Sequence, residues 1–226
     1  MNKTPQSSPD SAASSRYRPA PLWRRAARLG VHVFFASIAR IWFRVEAENV
    51  PRIIPGKPII LAPNHVSYLD PPVLQHAVWT HVTFMMTEVI YKRWFLGWMF
   101  RIWSAIPIPE DRPPTAAMKA ALRALRAGQS VAIFPEGKIS LDGYLNEGHG
   151  GVGMLIVKGR VPVIPVAILG TFEVLPKHRW WPRRHRVLVR FGEPIDPGSL
   201  GKDDVPAFVE RLMGEIEKLG APRRPE

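Results

Sequence analysis

Asn64-His65-Val66-Ser67-Tyr68-Leu69-Asp70, followed at once by Pro71 and Pro72, is the stretch on which the reading of this 226-residue chain turns. The apolar run Ile59-Ile60-Leu61-Ala62 before it reads as a buried strand. Pro71 suits the first position of a helix, so the stretch joins a strand end to a helix start. Open α/β sheets carry their reactive groups at such edges. A histidine five residues ahead of an aspartate has the parts of a general base held in one tautomer. Asp70 before Pro71 reads equally well as a helix N-cap, so the pattern alone leaves both roles open.

A second segment has the same build. Val131-Ala132-Ile133-Phe134-Pro135-Glu136-Gly137-Lys138-Ile139-Ser140 is a short apolar strand that ends in a polar turn containing glycine. Candidate strands are 57–62, 82–87, 104–108, 130–134, 162–168 and 185–191. Candidate helices are 22–45 (broken), 71–79, 91–102, 114–127, 149–158 and 204–219. Strand and helix alternate, which predicts an α/β fold. Pro162 and Pro165 argue for an edge or irregular strand at 162–168. The aromatic segment Tyr91 to Trp103 is either a core-packing helix or part of a greasy surface.

Net charge is +12, which implies an anionic partner. Residues 11–45 hold seven arginines and no acid, interleaved with Trp23, Phe34, Phe35, Trp42 and Phe43. Residues 174–192 hold six Lys or Arg and no acid around Trp180 and Trp181. Tryptophan beside arginine marks a lipid headgroup interface. Trp23, Arg24, Arg25, Arg28, Phe34, Phe35, Trp180 and Trp181 are therefore the expected membrane contacts, against the plainer reading of solvated basic faces. Nucleic-acid binding is not expected, since no such module's pattern is present. Leu22, Ala26, Leu29 and Val33 share one helical face, opposed by Arg24, Arg25, Arg28 and His32. Leu29 to Val45 is interrupted by His32 and Arg40, short of the roughly 20 apolar residues that span a bilayer. An amphipathic interfacial helix is expected, kinked or in two pieces. Residues 1–20 read as a disordered tail, 21–45 as the membrane-interface segment and 46–222 as one α/β domain. With no cysteine, thiol chemistry is excluded. No histidine pair has metal-ligand spacing, so no metal or other cofactor is expected.

Three blocks carry a resemblance. Asn64, His65 and Asp70 match an Asn-His-x-x-x-x-Asp pattern. Phe134, Pro135, Glu136, Gly137 and Ser140 match Phe-Pro-Glu-Gly-x-x-Ser. Val161-Pro162-Val163-Ile164-Pro165-Val166 matches a Val-Pro-Val-x-Pro-Val strand. In this order, over about residues 40 to 195, they resemble the glycerolipid acyltransferases typified by 1-acylglycerol-3-phosphate O-acyltransferase (PlsC-type). The resemblance implies a mostly parallel central sheet behind an N-terminal membrane-binding helical element. It implies transfer of a fatty acyl group from acyl-CoA or acyl-carrier protein to a lysophospholipid, most simply 1-acylglycerol-3-phosphate. The site would lie at the cytoplasmic face of a membrane, on a peripheral or monotopic protein. His65 and Asp70 would be catalytic. Asn64, Arg112, Phe134, Pro135, Glu136, Gly137, Lys138, Ser140 and Pro162 would bind substrate. Glu136 reads alternatively as a carboxylate satisfying turn N–H groups.

Two departures bear on the acceptor. Where the family's third block carries arginine before its serine, this chain has Ile139, with Lys138 beside it. In the second block Ser104 replaces glycine, and Arg112 arrives two residues late beside Glu110 and Asp111, which can pair with it. Another lysolipid acceptor, such as a lyso-aminolipid, therefore stays open. So does a non-catalytic membrane-binding role for the scaffold.

Overall fold

Ile60 and Ala62 face one apolar layer and Leu61 the other, so the strand they form is covered on both sides. In the computed structural model, which describes residues 19–92, 97–109, 111 and 113–225, this strand is β2 (Ile60–Pro63). Around it lie β1 (Val45–Glu48), β3 (Thr83–Thr87), β4 (Ile106–Ile108), β5 (Val131–Ala132), β6 (Val163–Leu169) and β7 (Val187–Phe191). They form one seven-stranded sheet in the order β1-β7-β6-β2-β5-β3-β4. Every neighbouring pair is parallel except β6 and β7.

The helices in chain order are α1 (Leu22–Trp42), α2 (Asp70–Ala77), α3 (Glu88–Tyr91), α4 (Gly97–Ile102), α5 (Thr115–Arg126), α6 (Gly150–Gly159), α7 (Thr171–Val174) and α8 (Val205–Lys218). One layer seats Leu122 and Leu125 of α5, Leu155 and Ile156 of α6, and Leu212 and Ile216 of α8 against Ile60, Val131 and Val163. The other seats Val73 and Leu74 of α2 and Val174 of α7 against Leu61, Ile164 and Val166. Each fully buried Leu or Ile contributes about 1.5–3 kcal/mol. A separate small cluster of Phe100, Trp103 and Ala105 receives Val31 from α1. The aromatic segment is thus core packing at Phe100 and Trp103, while Trp94 and Phe95 lie outside the described residues.

Three expectations need correction. Residues 22–42 form one unbroken helix of 21 residues rather than a broken one. Residues 45–48 leave it for the sheet, since Arg44 turns the chain at φ 41. The alternation Val45-Glu46-Ala47-Glu48 was a strand signal hidden by the preceding helical pattern. Third, β6 is not an edge strand, because β2 and β7 pair on its two sides. Pro165 is tolerated because its missing N–H falls on the last rung beside β7. Its carbonyl there still accepts the Gly192 N–H. Pro162 stands just ahead of the strand and accepts the Ile60 N–H.

Arg112, residues 1–18 of the expected tail and the side chains of Phe34 and Phe35 lie outside what is described. Among the described residues no helix is long and apolar enough to cross a membrane.

Candidate active site

β2 ends at Pro63, and the loop that follows is folded around a single carboxylate. Asp70 is wholly buried at the start of α2. Its Oδ2 accepts the backbone N–H groups of Val66 (2.7 Å) and Ser67 (2.8 Å). Its Oδ1 accepts the Thr171 hydroxyl at 2.6 Å. His65 Nδ1 lies 2.8 Å from the same Oδ2. An oxygen that already receives two N–H groups meets the ring as an acceptor, so Nδ1 carries the hydrogen and Nε2 keeps its lone pair. The His65 side chain is 15% exposed and its partner 0%, so the ring opens outward from a closed floor. Phe134, two residues beyond β5, stacks on the imidazole, with centroids 3.8 Å apart and planes at 20°.

The other candidates divide into framework and rim. Asn64 is buried, donating to the Ile168 carbonyl (3.0 Å) and accepting the Ile168 N–H (2.6 Å). It ties the end of β2 to β6. Glu136 is 0% exposed: Oε1 accepts the His65 N–H at 2.7 Å, and Oε2 accepts the Asn146 N–H at 2.9 Å and its side-chain amide at 2.8 Å. Burial pushes its carboxyl above the usual range, and the Asn146 and His65 donors pull it back. Ser140 donates its N–H to the His65 carbonyl and its hydroxyl to Asp142. Asn64, Glu136 and Ser140 thus hold the His65 peptide in place, instead of presenting free polar faces to a substrate.

Pro135 is buried and its carbonyl accepts the His149 N–H. Gly137 and Lys138 are exposed at the rim. The Gly137 N–H is donated to the Phe134 carbonyl, whereas those of Lys138 and Ile139 have no protein acceptor among the described residues.

Gly137 has φ +65, and a Cβ there would sit 2.9 Å from His149 Cδ2. Gly137→Ala should therefore destabilise the turn by about 1–2 kcal/mol, read as a lowered urea midpoint. An unchanged midpoint would show that the turn tolerates a side chain.

Two residues of this framework had no sequence signal tied to the motif. Thr171, 101 positions after Asp70, is brought in by α7 at the end of β6. Asn146 comes from the loop before α6, where Leu145 donates its N–H to the Pro222 carbonyl.

Pro162 is not brought to the site. It lies at the start of β6, next to the start of β2, and His65 follows the far end of that strand. Four residues of strand separate them, about 13 Å. Arg24 and Arg28 also depart from their expected role. They point toward the protein, Arg24 donating to the Arg101 carbonyl and Arg28 to the Ile102 carbonyl and Ser104 Oγ. The end of a helix leaves carbonyls unpaired, and guanidinium groups cap those of α4. On the opposite face Leu22 (79%), Leu29 (60%) and Val33 (52%) are exposed, with Trp23 and Arg25 beside them. Trp180 (86%) and Trp181 (60%) project from the loop between α7 and β7. That loop belongs to the His65 edge of the sheet: Ser67 donates its hydroxyl to the Leu175 carbonyl.

A family model described as acyltransferase matches residues 43–169. The chloroplastic 1-acyl-sn-glycerol-3-phosphate acyltransferase BAT2 of Brassica napus is 26% identical over 156 residues, 63% of this chain and 44% of that protein. The 1-acyl-sn-glycerol-3-phosphate acyltransferase of Streptococcus pneumoniae is 25% identical over 166 residues, 71% of this chain and 60% of that protein. The match thus spans roughly half the length of these curated relatives. The crystal structure of the acyltransferase PlsC from Thermotoga maritima superposes with a TM-score of 0.71 at 27% identity, covering 89% of this chain and 85% of that one.

Proposed function

Since the chain belongs to the acyltransferase family, and within it to the PlsC-type glycerolipid acyltransferases, we propose that it moves a fatty acyl group from an acyl thioester to the free hydroxyl of 1-acylglycerol-3-phosphate. The product is phosphatidic acid and the thiol of CoA or of acyl-carrier protein leaves. One observation carries the reading: a partly exposed imidazole whose Nδ1 is held by a buried carboxylate, leaving Nε2 to face a substrate.

In this mechanism Nε2 takes the hydroxyl proton as the acceptor oxygen attacks the thioester carbonyl. The imidazolium that forms is stabilised by Asp70, whose position the Val66, Ser67 and Thr171 donors define. The tetrahedral intermediate expels the thiolate, which takes the proton back from Nε2. No acyl-enzyme is needed. The Lys138 and Ile139 N–H groups are suited to oxyanion or phosphate oxygens, and the exposed Lys138 ammonium to the acceptor phosphate.

We place this chemistry at the cytoplasmic face of a membrane. Support comes from exposed apolar groups at the His65 edge: Trp180, Trp181, Leu141 (65%) and Tyr68 (42%). Basic Lys177, Arg183 and Arg184 are exposed beside the tryptophans. Replacing both Trp180 and Trp181 with alanine should weaken binding to anionic vesicles about tenfold, since each buries large apolar area at an interface. Unchanged co-sedimentation would assign the contact to α1 alone.

The deciding assay is thiol release from a long-chain acyl-CoA across a panel of lyso-acceptors, repeated with an acyl-carrier-protein donor. Release that requires lysophosphatidic acid supports the proposal. Release with another lysolipid only would mean that Ile139, in place of the family's arginine, redirects the acceptor. No release with any pair would favour a non-catalytic membrane-binding role.

A further inference from the structure

A cavity lies well away from His65. It has a volume of about 300 Å³ and opens at the opposite edge of the sheet, where β2, β3, β4 and β5 begin. Its wall takes Arg24 and Arg28 from α1, His81 from the α2–β3 loop, Ser104 from the α4–β4 turn and Ser130 from the turn before β5. No acid among the described residues lines it. Arg24 Nε and His81 Nε2 are buried with no hydrogen-bond partner among the described residues. Buried polar atoms in folded proteins are nearly always paired, so two orphans on residues that line one cavity call for a missing partner.

The remaining groups favour one sign of partner. Ser104 Oγ accepts from Arg28 and Ser130 Oγ accepts from the Ile59 N–H, so both hydroxyl hydrogens are available to donate. Burial, with Arg28 and then Arg24 adding to it, holds His81 down to about 3. Two guanidinium groups are therefore close enough to oppose a third cation. Ser104 also sits at φ 55, a conformation that glycine adopts without strain. Here a side chain is kept at that cost, and its hydroxyl faces Arg28.

We infer that this cavity is a second anion site, distinct from the catalytic edge, that takes a phosphate group through Arg24, Arg28, His81 and the Ser104 and Ser130 hydroxyls. A phosphate offers enough acceptor oxygens for this set of donors, and guanidinium binds it in a forked geometry. Such a group belongs either to an anionic phospholipid or to a free phosphate compound. The exposed stripe Leu22, Leu29 and Val33 on the helix that supplies both arginines would lie at an acyl-chain boundary in the first case. The inference does not depend on the acyl-transfer reading.

The test uses the full chain. Inorganic phosphate is titrated by calorimetry at constant ionic strength, and co-sedimentation is measured with vesicles of phosphatidylglycerol or of phosphatidylcholine. The variants are Arg24→Gln, Arg25→Gln, Ser104→Gly and Lys138→Gln. Ser104→Gly relieves the strained φ, so its folding is not at risk. A site for free phosphate predicts saturable binding that falls about tenfold in Arg24→Gln and falls also in Ser104→Gly. Lys138→Gln, at the catalytic edge, leaves it unchanged. A site for lipid phosphate predicts no binding of free phosphate. Arg24→Gln and Ser104→Gly then weaken phosphatidylglycerol binding more than Arg25→Gln does, and phosphatidylcholine binding is not affected. The inference is overturned if neither ligand responds to Ser104→Gly, or if Arg24→Gln and Arg25→Gln act alike.

Discussion

His65→Ala should reduce acyl transfer by about 10²–10⁴-fold, the contribution of a positioned general base, while leaving the unfolding midpoint nearly unchanged. The ring lies at the mouth of the site and stacks, among the described residues, on Phe134 alone, so its removal opens no closed cavity. Asp70→Asn separates charge from geometry. The Val66 and Ser67 N–H groups oblige an asparagine to turn its oxygen toward them and toward His65. Its amide then donates to Thr171 Oγ1, a hydroxyl able to accept. The imidazole keeps its tautomer and loses only the carboxylate that stabilises its charged form. Turnover should fall about 10²-fold, with kcat carrying the loss and KM nearly constant. Wild-type turnover in His65→Ala would remove this residue from the mechanism. An Asp70→Asn protein that fails to fold would show the carboxylate to be mainly structural.

Glu136→Ala should cost on the order of 3 kcal/mol or more in folding free energy and abolish turnover as well. It leaves the His65 N–H and two Asn146 donors buried without acceptors, and each orphaned group costs about 1–3 kcal/mol. Loss of activity follows because the peptide carrying the base is no longer held. Glu136→Gln keeps one acceptor and no charge, so it should fall between wild type and Ala. The pH dependence has a definite sign. The folded carboxyl titrates above its ordinary 4.5, raised by burial. Its contribution to stability is present below that value and is lost as pH rises through the folded one. Wild type should therefore lose stability relative to Glu136→Gln across that range in urea titrations. Parallel stability curves for the two would mean that solvent reaches the carboxylate.

Much of the fold was legible because the apolar runs at 60–62, 131–134 and 163–168 are local and continuous. A strand covered on both faces has little need of polar residues, so its composition alone announces it. β1 was not legible, because its two glutamates sit on an exposed edge where they pair with Arg186 and Arg190. Four residues of alternating pattern at a helix end carry too little signal to be separated from the helix. The place of β6 was misread because a proline is excluded from a strand only where its N–H has a partner to lose. Which rung that is depends on where β7 ends.

The same division runs through the site. The chain by itself determined that a histidine and an aspartate share one loop at a strand end, since the motif, the preceding strand and Pro71 are contiguous. It determined the family through three blocks in order. Only the tertiary structure decided that Glu136 and Asn64 act as framework, that Thr171 and Asn146 complete it, and that Pro162 lies a strand length away. It alone turned Arg24 and Arg28 inward to cap α4 beside a cavity. The physical reason is common to all of these. A hydrogen bond or an ion pair depends on which atoms the folded chain brings within about 3 Å. Residues 71 or 101 positions apart reach that distance only once the sheet has been assembled.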